Sequence, residues 1–164
     1  MKLILLITTL LIFPLYSTAH KFEAKYAIID HPWLRIAGEQ SITAAGYFEL
    51  TNKLNKPIIL IGAKAEFAKI IEIHEMKMEG DVIQMRMISG GLKIPPNGSL
   101  TLKPGGRHIM FTKLKEQLKH GEQRPVNLVF ERHGEIVVSF KVEDIGRQPQ
   151  HSESNNSQIE HSRH

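Results

Sequence analysis

Hydrophobic residues in this chain occur mostly in short runs, and turns containing Gly or Pro separate the runs. Several runs alternate with polar residues, a period of two that is typical of half-buried strands. Around residue 72 the alternation puts Ile71 and Ile73 on one face and Glu72 and His74 on the other. The predicted strands are 23–29, 46–51, 58–62, 70–78, 82–88, 100–102, 126–130 and 136–142. Many short strands indicate an all-β single domain, either a sandwich or a barrel.

Local signals refine this outline. The last two strands flank His133-Gly134, which predicts a hairpin. Pro32 is expected to interrupt the first strand, because it keeps His31 extended as a turn residue. Helical periodicity is weak, and its best candidates are the short segments 63–69 and 114–120.

The two ends of the chain differ from the body. Residues 1–19 combine a basic start, an apolar run and the small residues Ser17-Thr18-Ala19, which predicts a cleaved secretory signal peptide. The apolar run is short of the about 20 residues that a membrane-spanning helix needs, so we expect no stable membrane insertion after cleavage. Residues 147–164 are polar, and Ile159 is their one large aliphatic side chain. They predict a disordered, histidine-containing tail, which leaves residues 20–146 as the folded domain.

Composition excludes several classes of function. The chain has no cysteine, so an exported form makes no disulfide and performs no thiol redox chemistry. The formal charge of +4 is small and scattered, which gives little support to nucleic-acid binding. No hydrolase motif or phosphate-binding loop stands out. We therefore expect a monomeric binding protein rather than an enzyme.

The most informative chemistry is a cluster of methionines. Five of the six methionines lie between residues 76 and 110. His74 lies just before the first of them, and His108 lies two residues before the last. Thioethers are soft ligands that favour Cu(I). The competing interpretation is that these methionines only fill the core.

A hairpin brings part of this cluster together. The strands 70–78 and 82–88 meet across Glu79-Gly80-Asp81. A two-residue turn at Glu79-Gly80, with Gly80 at positive φ, would place Met85 opposite His74. A turn at Gly80-Asp81 would instead place Met87 opposite His74 and Met85 opposite Met76. Either register pairs His74 with a thioether, since directly opposed Cβ atoms lie about 4.5–5.5 Å apart.

The second half of the candidate site is His108-Ile109-Met110. Residues two apart on a strand point the same way, so His108 and Met110 should share a face. Together with His74 and Met85 they predict a two-histidine, two-methionine site for Cu(I). Such neutral, soft donors suit Zn²⁺ poorly, and a blue-copper electron-transfer site needs a cysteine that this chain lacks. Met76, Met78 and Met87 are assigned supporting roles.

With these histidines and methionines at this spacing, the sequence resembles the PCuAC (DUF461) family of periplasmic copper chaperones. The family pattern is a histidine, ten residues, a methionine, about twenty-one residues, then His-x-Met. Here ten residues separate His74 from Met85, and twenty-two separate Met85 from His108. We place the extra residue in the turn at 89–91. The resemblance covers about residues 23–144 and is carried by the segments 31–35, 44–52, 74–80, 85–87, 91–95 and 102–110.

The resemblance implies a cupredoxin-like Greek-key β-sandwich that binds Cu(I) through His74, Met85, His108 and Met110. It also implies delivery to the binuclear copper centre of cytochrome c oxidase subunit II, beside Sco-type thiol proteins. Family members differ in whether a C-terminal extension binds Cu(II). The tail histidines here are His151, His161 and His164, and they would bind Cu(II) or Zn²⁺ weakly or simply be solvated.

Three alternatives stay open at this stage. Cleavage after Ala19 would leave His20 as a free N-terminal histidine, which a copper oxygenase could use as a histidine brace. A copper sequestration or tolerance protein would need the same site without delivery. An adhesive β-sandwich would use its methionines only for packing.

Overall fold

The computed structural model describes residues 21–145, so the predicted signal peptide, His20 and the predicted tail lie outside the described residues. Within that range the chain forms eleven strands and no α-helix. The strands are β1 Lys21–Glu23, β2 Ala27–Ile36, β3 Thr43–Asn52, β4 Ile58–Lys64, β5 Ala68–Glu79, β6 Val82–Met87, β7 Leu92–Ile94, β8 Ser99–Leu102, β9 Arg107–Leu114, β10 Gln123–Phe130 and β11 Gly134–Asp144. The fold is all-β and cupredoxin-like, as predicted.

Hydrogen bonding connects the strands in the order β6-β5-β9-β3-β2-β11-β10-β4-β7, with β1 paired to β2 and β8 paired to β3. The β2–β11 pair is parallel, and the other strand pairs are antiparallel. The first half of β3 pairs with β9, and its second half pairs with β8. Strands distant in sequence, β5 and β9, therefore become neighbours, and they carry the two histidines of the predicted site.

Alternation along the strands builds the core. Buried residues recur at every second position of β10 and β11, and their alternating partners are exposed or half-buried. Rings from several strands meet inside, with Phe48 edge-on to Phe140 at 5.9 Å and Phe67 tilted against Phe111 at 5.2 Å. Gly46 lies under this cluster, where an added Cβ would be 2.9 Å from Phe111 Cε2. The core is thus tightly packed directly behind β9.

Most predicted strands are confirmed, and the differences have local causes. The two predicted helices are wrong. Residues 63–69 form the end of β4, a turn and the start of β5, and residues 114–120 form the last residue of β9 and the irregular chain after it. Phe67 and Leu118 are buried core residues there. Segments this short do not hold a helix on their own, so packing of their apolar side chains decides their conformation.

The first predicted strand is also different in detail. It divides into β1 and β2, and β2 continues through the His31-Pro32-Trp33 segment that was expected to break it. A register shift between Asp30 and Trp33, with His31 at φ 50°, accommodates the proline as an irregularity in the β2–β3 ladder. The predicted hairpin between β10 and β11 is confirmed, with residues 131–133 in its turn. Among residues 21–145, no helix has the length and hydrophobicity to cross a bilayer.

Candidate metal centre

The pairing of β5 with β9 places the two predicted histidines side by side. His74 is the direct cross-strand partner of His108, and their ring centroids are 5.9 Å apart. The alternating neighbours Ile73 and Ile109 are 4% and 0% exposed and belong to the core. His74, His108 and Met110 therefore lie on the face of the sheet that points away from the core, as the alternation predicted.

The β5–β6 hairpin has the second of the two registers considered above. Met87 is opposite His74, and Met85 is opposite Met76. The turn is Gly80-Asp81, so the first alternative, a turn at Glu79-Gly80 with Met85 opposite His74, is wrong. Gly80 has φ 63°, and Asp81 is not among the residues with positive φ. Positive φ at the first turn residue alone is the requirement of a type II′ turn, which takes glycine at that position.

A cavity of 270 Å³ opens on this face of the sheet. Four potential copper donors line it: Met76 from β5, Met85 from β6, and His108 and Met110 from β9. Three of the four predicted ligands are thus brought together with Met76, to which the sequence had given only a supporting role. His74 does not line this cavity; it lies beside it as the neighbour of His108. Met76 could be recognised only from the correct hairpin register, which pairs it with Met85.

Burial is uneven across the cavity. His108 is 2% exposed, whereas Met85 on the edge strand β6 is 49% exposed. The imidazole is therefore fixed within the fold, and the thioether of Met85 is accessible from solvent. Met78 and Met87, on the same face of the hairpin, are also exposed and do not line the cavity.

Hydrogen bonds orient both histidines. The Nδ1 atom of His108 lies 3.1 Å from the carbonyl oxygen of Gly106. Because a carbonyl only accepts, Nδ1 carries the proton and Nε2 keeps a lone pair available to a metal. The Nε2 atom of His74 lies 3.0 Å from Oε2 of Glu72. The Nδ1 atom of His74 is buried and has no hydrogen-bond partner within the described residues.

The electrostatics of His108 favour its neutral form. Burial lowers the pKa of His108 below the ordinary value of 6.5, the Gly106 carbonyl opposes that change, and nearby His74 adds to it. A metal ligand must be deprotonated to bind. The environment of His108 therefore keeps the imidazole ready to bind a metal at neutral pH.

The donor set is unusual for a metal site. Within residues 21–145 no group of three or more His, Cys, Asp and Glu side chains is arranged to hold a metal. The donors that do line the cavity are one imidazole and three thioethers, and thioethers favour soft ions such as Cu(I).

The remaining described histidines lie away from the cavity. His31 and His120 are exposed, and Nδ1 of His120 accepts a hydrogen bond from the Asp144 backbone amide at 3.1 Å. His133 is half-buried, with its ring centroid 4.9 Å from that of Tyr26. None of the three is among the residues that line the cavity.

Comparison with known proteins agrees with this architecture. Residues 28–142 match the family described as "Putative lipoprotein LpqE-like". A protein of Leifsonia xyli that is also named as a putative lipoprotein is 29% identical over 117 residues, which are 71% of this chain and 69% of its own length. An uncharacterised protein of Rickettsia prowazekii is 30% identical over 115 residues, 68% of this chain and 63% of its own length.

The chain belongs to the LpqE-like family. Its solved structural neighbours include PCuAC domains, as the sequence resemblance predicted. The copper-bound PCuAC domain of PmoF2 is 26% identical, covers 76% of this chain and 98% of that domain, and has a TM-score of 0.63. The Cu(I) form of DR1885 from Deinococcus radiodurans is 30% identical, covers 80% of this chain and 85% of that one, and has a TM-score of 0.57.

Proposed function

We propose that this LpqE-like protein is a copper chaperone that binds one Cu(I) ion on the open face of β5, β6 and β9. The observation that carries the proposal is the convergence of Met76, Met85, His108 and Met110 on one cavity. His74, the fourth predicted ligand, does not line the cavity but is the cross-strand neighbour of His108, and it is proposed to bind the same ion. Structural neighbours that hold copper support the same conclusion.

The chemistry of these donors favours Cu(I). Imidazole and thioether are neutral, so a bound Cu(I) ion keeps its single positive charge, and soft sulfur donors prefer Cu(I) to harder divalent ions. The exposed thioether of Met85 gives a partner's ligands a place to begin exchange, while buried His108 holds the ion. Stepwise exchange of this kind transfers copper without oxidising or reducing it.

Competition against a Cu(I) chelator under reducing conditions tests the binding proposal. His108→Ala and Met110→Leu should each weaken Cu(I) binding by at least about tenfold, which corresponds to about 1.4 kcal/mol. Met78→Leu is the matched control, because Met78 lies on the same hairpin face but is 72% exposed and outside the cavity. Wild-type Cu(I) affinity in both site variants would refute the assignment of His108 and Met110 as ligands.

The protein is proposed to deliver its Cu(I) ion to the binuclear copper site of cytochrome oxidase subunit II, either directly or with a Sco-type thiol protein. This part rests on the family resemblance. Mixing the Cu(I)-loaded protein with the copper-free soluble domain of subunit II should fill the acceptor site, followed by its visible absorption. Retention of copper by the LpqE-like protein would favour sequestration instead.

The proposed location is the periplasm, supported by the signal-peptide pattern of residues 1–19. N-terminal sequencing of the exported protein should find His20 first. A weak Cu(II) site on the tail is a separate proposal, and removal of residues 147–164 should abolish any second binding event in a Cu(II) titration.

A further inference from the structure

The two histidines of the candidate centre present opposite ring nitrogens. A carboxylate at ordinary pH only accepts hydrogen bonds, so the 3.0 Å contact with Glu72 Oε2 places the proton of neutral His74 on Nε2. The lone pair of His74 is then on Nδ1, which is buried and has no partner within residues 21–145. His108 has the reverse arrangement, because its Nδ1 donates to the Gly106 carbonyl.

We propose that Glu72 is a positioning residue that holds His74 with Nδ1 directed to Cu(I), while His108 binds the same ion through Nε2. This inference rests on the function proposed above. Metal-binding histidines generally donate their second ring nitrogen to a carboxylate or a carbonyl, which fixes the tautomer and the ring orientation. Here Glu72 supplies the carboxylate for His74, and Gly106 supplies the carbonyl for His108.

The position of Glu72 on β5 explains why it can serve in this way. It precedes His74 by two residues and therefore lies on the same face of the strand. It is also the cross-strand partner of Met110, which lines the cavity. Its side chain is 39% exposed, so the carboxylate keeps contact with solvent while it accepts from His74.

A second glutamate on β5 provides the matched control. Glu75 lies on the opposite face of the strand, where Oε2 is 3.2 Å from Lys77 Nζ and Oε1 is 3.0 Å from Arg107 Nε. It has the same charge and a similar distance along the chain from His74, but its partners are cations rather than a histidine. Loss of Glu75 should therefore remove a charge near the site without releasing the imidazole.

The test combines ¹⁵N NMR of the histidine rings with Cu(I) affinity by chelator competition. In the metal-free protein, the neutral His74 ring should carry its proton on Nε2 and the neutral His108 ring on Nδ1. Glu72→Leu should release the His74 tautomer, leave His108 unchanged and weaken Cu(I) binding by at least about tenfold. Glu72→Gln keeps an acceptor oxygen and should stay within about threefold of wild type, as should Glu75→Gln.

The outcomes separate this inference from the proposed function. Wild-type tautomer and affinity in Glu72→Leu would overturn the inference, and so would a proton on Nδ1 of His74 in the wild-type protein. An equal loss in Glu72→Gln would overturn the orienting role, because the charge alone would then carry the effect. If the wild-type protein binds no Cu(I), the proposed function fails, while the NMR spectrum still decides the tautomer of His74. Circular dichroism of each variant verifies folding, and Glu72→Gln tests the role even if Glu72→Leu does not fold.

Discussion

The hairpin register makes a direct prediction about Met85 and Met87, which lie two residues apart on the same face of β6. Met85 pairs with Met76 and lines the cavity, whereas Met87 pairs with His74 and does not. Replacing either with leucine removes a thioether but keeps an apolar side chain of similar volume. Both methionines are exposed, at 49% and 59%, so either change should alter the free energy of unfolding by less than about 1 kcal/mol.

The effect on copper binding should differ sharply between the two variants. Met85→Leu should weaken Cu(I) binding by at least about tenfold, a loss of about 1.4 kcal/mol. Met87→Leu should change it by less than about threefold, which is about 0.7 kcal/mol. Competition against a Cu(I) chelator measures both, and thermal unfolding verifies that the fold is intact. If Met87→Leu lost more Cu(I) affinity than Met85→Leu, the ion would have to lie at the His74–Met87 pair, and the cavity would be refuted as the binding site.

Three further predictions concern stability. Gly46→Ala should cost about 1–3 kcal/mol, because its Cβ would be 2.9 Å from the buried ring of Phe111; an unchanged melting temperature would contradict this. Asn52→Ala should destabilise the fold by about 2–4 kcal/mol in denaturant unfolding yet leave Cu(I) affinity unchanged, since buried Asn52 donates to the carbonyls of Lys56 and Pro95 at 2.8 and 2.9 Å. Stability should fall as the pH decreases below about 6.5, because the unfolded chain protonates His108 before the folded protein does. His108→Gln should flatten that dependence, and an equal slope in wild type and variant would contradict it.

Side-chain alternation carried most of the correct predictions about the fold and the site. It placed Ile73 on the face opposite His74 and gave His108 and Met110 a shared face, because the period of two is a local property of a strand. The pairing of β5 with β9 is not local. It is what makes His74 the neighbour of His108, and thirty-three intervening residues carry no signal of that alignment.

The errors have one common cause, which is that local sequence permits two structures. Gly80 fits the second position of one hairpin turn and the first position of another, and the choice decides whether Met85 faces His74 or Met76. Pro32 fits both a strand end and an irregularity within a strand, and the parallel partner β11 keeps β2 extended beyond it. Alternation placed Glu72 on the same face as His74, but the hydrogen bond between them depends on the rotamer of the His74 ring, which alternation does not determine.

The central claim is that thioether and imidazole groups on β5, β6 and β9 bind one Cu(I) ion together. X-ray absorption spectroscopy of the stoichiometric Cu(I) complex tests it most directly, because sulfur and nitrogen donors scatter differently. We expect sulfur from the methionines and nitrogen from the histidines in the same coordination shell. A shell of nitrogen and oxygen donors alone would contradict the claim.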